Sequence, residues 1–333
     1  MRWTSTPPRP FSSRFSQRGI AVVTALLLTT LAVTIVANLF WQQQVQIRSL
    51  DNQRMQLQKM WVMRGAMDWA SLVLRTGGRQ SLVDHLNQPW ATPLADTRLE
   101  QYLDDGRSGV DSAGDAGDTV LSGNIIDAQS RYNLNNLSAN GVVNPDELAV
   151  FKRLLENLHV PVSVATVVAQ AIAAGQPILI PVAASGQQTL HSRDATLPIM
   201  QTDDLLSLPN FTLEMLLQMK EFVVVLPVPT PVNVNTAPAE VLAACLGKLT
   251  LADAQTLVAS RRNAPFVDVQ QVLERMTQLF STQSSLTANV GVSSNFFFVS
   301  SKIRMGRAVL KTVSLIQRTN NRSGSSILWI REQ

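Results

Sequence analysis

Cysteine is all but absent from this 333-residue chain, which has Cys245 alone. A lone thiol excludes an intrachain disulfide framework and any zinc centre built from several thiolates of the chain. Histidine is nearly as scarce. The three present, His85, His159 and His191, are too scattered to read as a histidine-rich metal centre. The signatures of common catalytic machineries are missing as well: no G-x-S-x-G elbow, Walker loop, H-E-x-x-H pair or Cys/His cluster occurs. Neither an enzymatic activity nor a resident cofactor is expected. Charge is sparse too, at 16% of residues against 45% apolar. That balance excludes wholesale disorder and leaves material for a sizeable core.

Two local absences say more. Residues 1–19 contain no acid but hold Arg2, Arg9, Arg14 and Arg18. The formal net charge is +4, so these four arginines account for all of it and the remaining charges balance. Beyond them the chain offers no overall positive field to a nucleic acid. The second absence is of helix breakers, since neither Gly nor Pro occurs from Ile20 to Arg64. Within that stretch Ile20 to Phe40 is 21 residues without a charge. At about 1.5 Å per residue this crosses about 30 Å of hydrocarbon. Arg14 and Arg18 flank it on one side only, which orients the N-terminus to the cytoplasm, and Trp41 suits the far interface. The alternative is a cleaved secretory signal peptide, whose apolar region would here be unusually long. Farther on, Met60, Met63, Met67, Ala70 and Leu74 recur at spacings of three and four, one apolar stripe on a polar helix. One helix is expected from Ile20 to about Arg75, its first half in lipid and its second laid on a globular domain.

The junction Ser16-Gln17-Arg18-Gly19-Ile20-Ala21-Val22-Val23-Thr24 resembles the leader and helix start of type IV prepilins. The resemblance implies a cut between Gly19 and Ile20 by prepilin peptidase, and N-methylation of the new terminus at Ile20. Glycine suits such a cut because its bare backbone lies extended in a protease cleft. Most pilins carry glutamate at the fifth mature position, which here is Thr24. A carboxylate in lipid is costly unless paired, in that family with the terminal amine of a neighbouring subunit. A subunit lacking it is disfavoured beneath another subunit but can start a fibre. That departure is characteristic of the K-type minor pseudopilins of type II secretion. The block Gly123-Asn124-Ile125-Ile126-Asp127-Ala128-Gln129-Ser130-Arg131-Tyr132-Asn133-Leu134-Asn135-Asn136-Leu137 resembles the same family independently. The implied partners are the other minor pseudopilins of a tip complex, the prepilin peptidase and the inner-membrane secretion platform. The implied location is the inner membrane, crossed once, with a cytoplasmic N-terminus and a periplasmic C-terminal domain. The implied task is to initiate a pseudopilus that supports export of folded proteins across the outer membrane.

The remaining pattern gives an α+β fold: a pilin-like long helix on a small antiparallel sheet, interrupted by a large all-α insertion. Five stretches are expected: a leader over 1–19, the anchor helix over 20–75, and the first part of the pilin-like domain over 76–143. The inserted helical domain then spans 144–290, and closing strands span 291–333. Ile125-Ile126 reads as a short strand, and Asn133, Asn135 and Asn136 as turn formers with a structural role. Asn144-Pro145 starts a helix. Others are expected over Pro161–Ala174, Thr202–Phe222 and Leu251–Arg261, and one after Thr236, read as an N-cap paired with Glu240. Asn295–Met305 and Ala308–Ile316 are strands joined at Gly306-Arg307, and Ile327–Ile330 adds a third.

Two segments invite other chemistry. The run around Leu246-Gly247-Lys248-Leu249-Thr250 looks like a helix-hairpin-helix, the module that grips DNA backbones through glycine amides. It has one glycine, so it reads as a packing module of helix-hairpin-helix or SAM-like type. A membrane-anchored DNA-binding protein of an uptake system is the rival reading, and a minor pilin of a type IV pilus is a nearer one. The stretch from Asp104 to Asp118 reads as a solvated loop, with Asp111, Asp115 and Asp118 as weak calcium candidates lacking the EF-hand spacing.

Overall fold

The computed structural model describes residues 18–98, 119–176, 178–181, 188–191, 197–247, 249–280, 289–306, 308–319 and 324–333. The chain divides into two compact units, Met1–Met60 and Trp61–Gln333. Helix α1 (Arg18–Gln80) contributes to both. It ends five residues beyond Arg75, running through Gly77, which lies against the Trp90 side chain.

In the first unit α1 is long and apolar enough to cross a membrane, with a window of mean hydropathy 2.5 and none of it buried. In the second unit one face of α1 goes inward. Ala66, Met67, Ala70 and Leu74 are buried, as the three-and-four spacing requires. The upper end of the predicted stripe is open, Met60 being 57% exposed.

What α1 covers is an antiparallel sheet of five strands, β1 (Leu94–Arg98), β2 (Thr119–Asp127), β3 (Phe296–Met305), β4 (Ala308–Arg318) and β5 (Ser325–Glu332), in the order β1-β2-β3-β4-β5. β3 and β4 form the expected hairpin, and Gly306 turns it at φ 53°, a left-handed angle that glycine takes without strain. Side chains alternate across β3, so the Phe run divides. Phe297 and Val299 face Met67, Ala70, Leu74 and Trp90, while Phe296 packs with Ala128, Val224 and Leu226 on the other face. The α+β architecture is as expected; edge strand β1 was not foreseen.

The helical part has its own core. It gathers α2 (Pro145–Asn157), α3 (Val164–Gly175), α4 (Leu213–Met219), α5 (Ala239–Cys245), α6 (Leu251–Asn263) and α7 (Val269–Phe280). Asn144 caps α2 through Asp146 and Glu147 N–H, with Pro145 in its first turn. The helix expected over Thr202–Phe222 is instead a 3-10 turn at Thr202–Ser207 and the short α4, because Pro209 cannot continue a helix. Ile178–Pro181 and Gln188–His191 pair as a small ribbon where no period was visible.

Burial of Leu74 between α1 and the sheet predicts that Leu74→Ala lowers unfolding stability of the full chain in detergent by about 2–5 kcal/mol. Leu57→Ala, at an exposed position of the same helix, leaves it within about 0.5 kcal/mol. Thermal melts of both variants check the contrast.

Candidate functional site: anchor, polar hub and docked hairpin

Gly19 and Ile20 lie in the first turn of α1. One turn on, the Thr24 hydroxyl donates to the carbonyls of Ile20 and Ala21, both at 3.0 Å. Thr29, Thr30 and Thr34 bond back along the helix in the same way. Each hydroxyl is satisfied within its own helix, as a bilayer interior demands. A glutamate at position 24 would instead need a partner from outside. Asp111, Asp115 and Asp118 lie outside the described residues. Among the described residues no group of three or more His, Cys, Asp or Glu side chains could hold a metal.

The most concentrated polar chemistry is a buried hub inside the second unit, which residue patterns did not reveal. Arg318, at the end of β4, pairs with Asp84, just after α1, at 2.5 Å with both side chains buried. The same guanidinium donates to the Leu74 carbonyl of α1 at 3.4 Å and to the Ser294 carbonyl, and it lies 5.0 Å over the Phe297 ring. Asp84 accepts from the Ser294 N–H at 2.8 Å. Beside this pair, Asp127 at the end of β2 accepts from Ser294 and Thr236 hydroxyls, both at 2.6 Å, and from the Gln129 N–H at 2.8 Å. The Asn233 amide lies 3.0 Å from Asp127, 2.9 Å from Ser294 Oγ and 3.1 Å from the Asp84 carbonyl. Thr236 therefore does not cap α5, whose N-cap is Pro238; its hydroxyl serves Asp127. Burial pushes the Asp127 carboxyl up to about 6, partly offset by the Ser294, Thr236 and Gln129 hydrogen bonds.

A second lattice explains the Asn-rich block. Residues 226–231 read Leu-Pro-Val-Pro-Thr-Pro, so alternate positions lack an N–H and no regular ladder can form. The orphaned carbonyls take side-chain amides instead. Asn135 donates to Leu226, Asn133 to Val228, Asn136 to Thr230 and Gln129 to Pro231, over 2.5–3.0 Å. Two of the three N–H groups that remain, those of Leu226 and Thr230, return to the Asn133 and Asn136 oxygens. The asparagines thus have the structural role expected: Asn133 accepts from the Asn135 N–H at 3.1 Å in its own turn, and all three also pair with a distant segment.

The hairpin module is α5 and α6, with Gly247 at φ 80° between them and Thr250 capping α6 in a box with Asp253. Arg153 and Asn157 of α2 reach the carbonyls of Ala244 and Glu240, docking α5. Asn235 brackets Phe266 with two bonds of 2.9 Å. Arg261, a cation that DNA recognition would need outside, is buried and donates to the Val234 carbonyl. Burial, with Arg262 beside it, pushes its pKa down to about 10. Cys245 is wholly buried among these helices, and that burial pushes its thiol up.

With this geometry in view, the chain matches two family models described as type II secretion system protein K, over residues 130–228 and 232–292. It is 30% identical over 321 residues to the type II secretion system protein K of Pseudomonas aeruginosa, covering 92% of this chain and 90% of that protein. It is 25% identical to the protein of the same name from Aeromonas hydrophila over 304 residues, 84% of this chain and 87% of that one. Its fold is similar to a solved chain in the GspK-GspI-GspJ complex of enterotoxigenic Escherichia coli, with TM-score 0.61 at 20% identity over 86% of this chain and 99% of that one.

Two outcomes follow for the hub. Asp84→Ala strands a buried guanidinium and costs about 3–5 kcal/mol in denaturant unfolding of the full chain. Asp127, raised in the folded state from 3.8 to about 6, holds its proton more tightly there than in the unfolded chain. Its contribution to stability is therefore fullest below pH about 4 and falls as pH rises to about 6. Melts at stepped pH show this decline, and Asp127→Asn flattens it across that window.

Proposed function

The chain belongs to the type II secretion system protein K family, and from that premise we propose that this minor pseudopilin stands at the tip of the pseudopilus and starts its assembly. The observation that carries the reading is Thr24. Its hydroxyl is closed on its own helix, so the subunit brings no carboxylate with which to dock beneath a neighbour's terminal amine. Such a subunit suits the first place in a fibre and disfavours every later one. The bulk of the helical insertion agrees, because a domain of that size crowds the next subunit in a helical stack.

Processing precedes assembly in this scheme. Prepilin peptidase cuts between Gly19 and Ile20 and methylates Ile20, removing Arg2, Arg9, Arg14 and Arg18 and leaving a neutral chain with a bare apolar helix at its front. Until then the arginines hold the N-terminus on the cytoplasmic side of the inner membrane, with the second unit in the periplasm. Companion minor pseudopilins join it there, in the manner of the GspI and GspJ partners named for the similar fold. The inner-membrane platform then extends the fibre from below to drive folded proteins across the outer membrane. The role is mechanical; we assign no residue to catalysis and no cofactor, calcium included.

N-terminal sequencing of the mature protein should begin at Ile20, and Gly19→Val should leave the leader attached. Any other start overturns the assigned cut. Site-specific cross-linking in assembled pseudopili should find the chain at one end of each fibre; uniform capture along the shaft overturns the tip assignment.

A further inference from the structure

β5 closes one side of the main sheet, and among the described residues no strand pairs with its outer edge. Sheets commonly protect such edges with proline or lysine. β5, Ser-Ser-Ile-Leu-Trp-Ile-Arg-Glu, has neither, and carries charge only at its last two positions. Ile327, Leu328 and Ile330 are each more than a third exposed. The pairing with β4 slips once, at Leu328, and runs regularly from Trp329 to Glu332.

The phase of that regular part is fixed by Gln333, whose N–H donates to the Lys311 carbonyl at 2.9 Å. Antiparallel ladders alternate, so Arg331 and Trp329 turn their backbone groups toward β4. Ile330 and Glu332 turn theirs outward, as a strand seeking a strand. Side chains alternate with them, and Trp329 and Arg331 share the face away from α1.

That face borders a cleft of about 550 Å³ walled by Ile172, Pro198, Met200, Pro227 and Leu315. Among the described residues Arg331 is the sole ionisable side chain lining it. Its guanidinium lies 4.3 Å over the Trp329 ring and donates to Gln201. Ser138 also lines the cleft; it is 1% exposed, and its hydroxyl has no hydrogen-bond partner among the described residues. A buried hydroxyl left open in this way is costly until something supplies the missing bond.

We propose that β5 is an open docking edge to which a companion minor pseudopilin adds an extended strand, its alternate apolar side chains entering the cleft beside Trp329 and a carboxylate meeting Arg331. The inference rests on the tip-complex reading above. The occupant is a strand because the unmet groups are backbone N–H and C=O at strand spacing, which an extended backbone satisfies while offering side chains to a pocket at every second residue. It carries a carboxylate because, among the described residues, the cleft presents one cation and no acid.

The test uses the full-length chain co-expressed with the companion minor pseudopilins of its own system and extracted in detergent. Ile330→Pro deletes an outward N–H without breaking a bond to β4, and Ile330→Val trims the side chain but keeps that N–H. Arg331→Glu reverses the charge at the cleft. The expected result is wild-type association for Ile330→Val and about tenfold weaker association for the other two, each with a wild-type melting temperature. Hydrogen exchange at Ile330 and Glu332 should slow when the complex forms. Should the complex form equally with Ile330→Pro and Arg331→Glu, and those amides exchange as in the free chain, the edge assignment is wrong while the tip reading stands. Absence of any complex with the wild-type chain overturns both. Self-association lost in Ile330→Pro would make the occupant a second copy and overturn the companion strand.

Discussion

The second unit depends on one buried ion pair. Arg318 and Asp84 meet at 2.5 Å out of water, from positions 234 residues apart. Such a pair adds little net stability over an apolar substitute, because both ions are stripped of solvent, yet half of it is ruinous. Its effect here is on arrangement. The guanidinium also binds α1 at Leu74 and the approach to β3 at Ser294, so the anchor helix, the loop after it and the closing strands have to reach one point together. Asp127 and Asn233 extend the same point to the end of β2 and to the helical insertion. A shift of one segment along its neighbour would leave several buried polar groups without partners.

The hub also accounts for how the insertion is carried. The sheet is covered on both faces, by α1 on one side and by Val224 and Leu226 on the other. The insertion is therefore packed as part of the pilin-like fold and does not hang from it on a tether. The Asn and Pro lattice adds direction to this contact, since amides of the 129–136 segment meet carbonyls of the 226–231 segment one for one. Apolar packing alone would tolerate sliding; paired amides do not.

Much of this was legible in the residues. The helix without breakers, its Met-Ala-Leu stripe, the Asn144-Pro145 start and the hairpin at Gly306 are local patterns, and local patterns survive folding. The hub was not, because no short-range rule links Asp84, Asp127, Asn233 and Arg318. Thr236 shows the failure in one residue: its spacing to Glu240 suits a cap, and a distant carboxylate claimed the hydroxyl instead. The run Leu-Pro-Val-Pro-Thr-Pro did hold a readable signal. Four carbonyls deprived of regular partners call for side-chain donors, and three asparagines with Gln129 were the obvious supply.

Arg318 sits near the end of the chain, and this gives the anchor helix a dependence on the last strands to be made. In a chain synthesised from its N-terminus, Asp84 waits through 234 residues for its cation. By then the insertion has had time to fold on its own core. Long-range closure of this kind is slow, but it couples the seating of α1 to arrival of everything after it. A chain that stops short of β4 leaves Asp84 without Arg318 and the underside of α1 without Ile316. The ion pair thus ties the seating of α1 on the sheet to the last strands made.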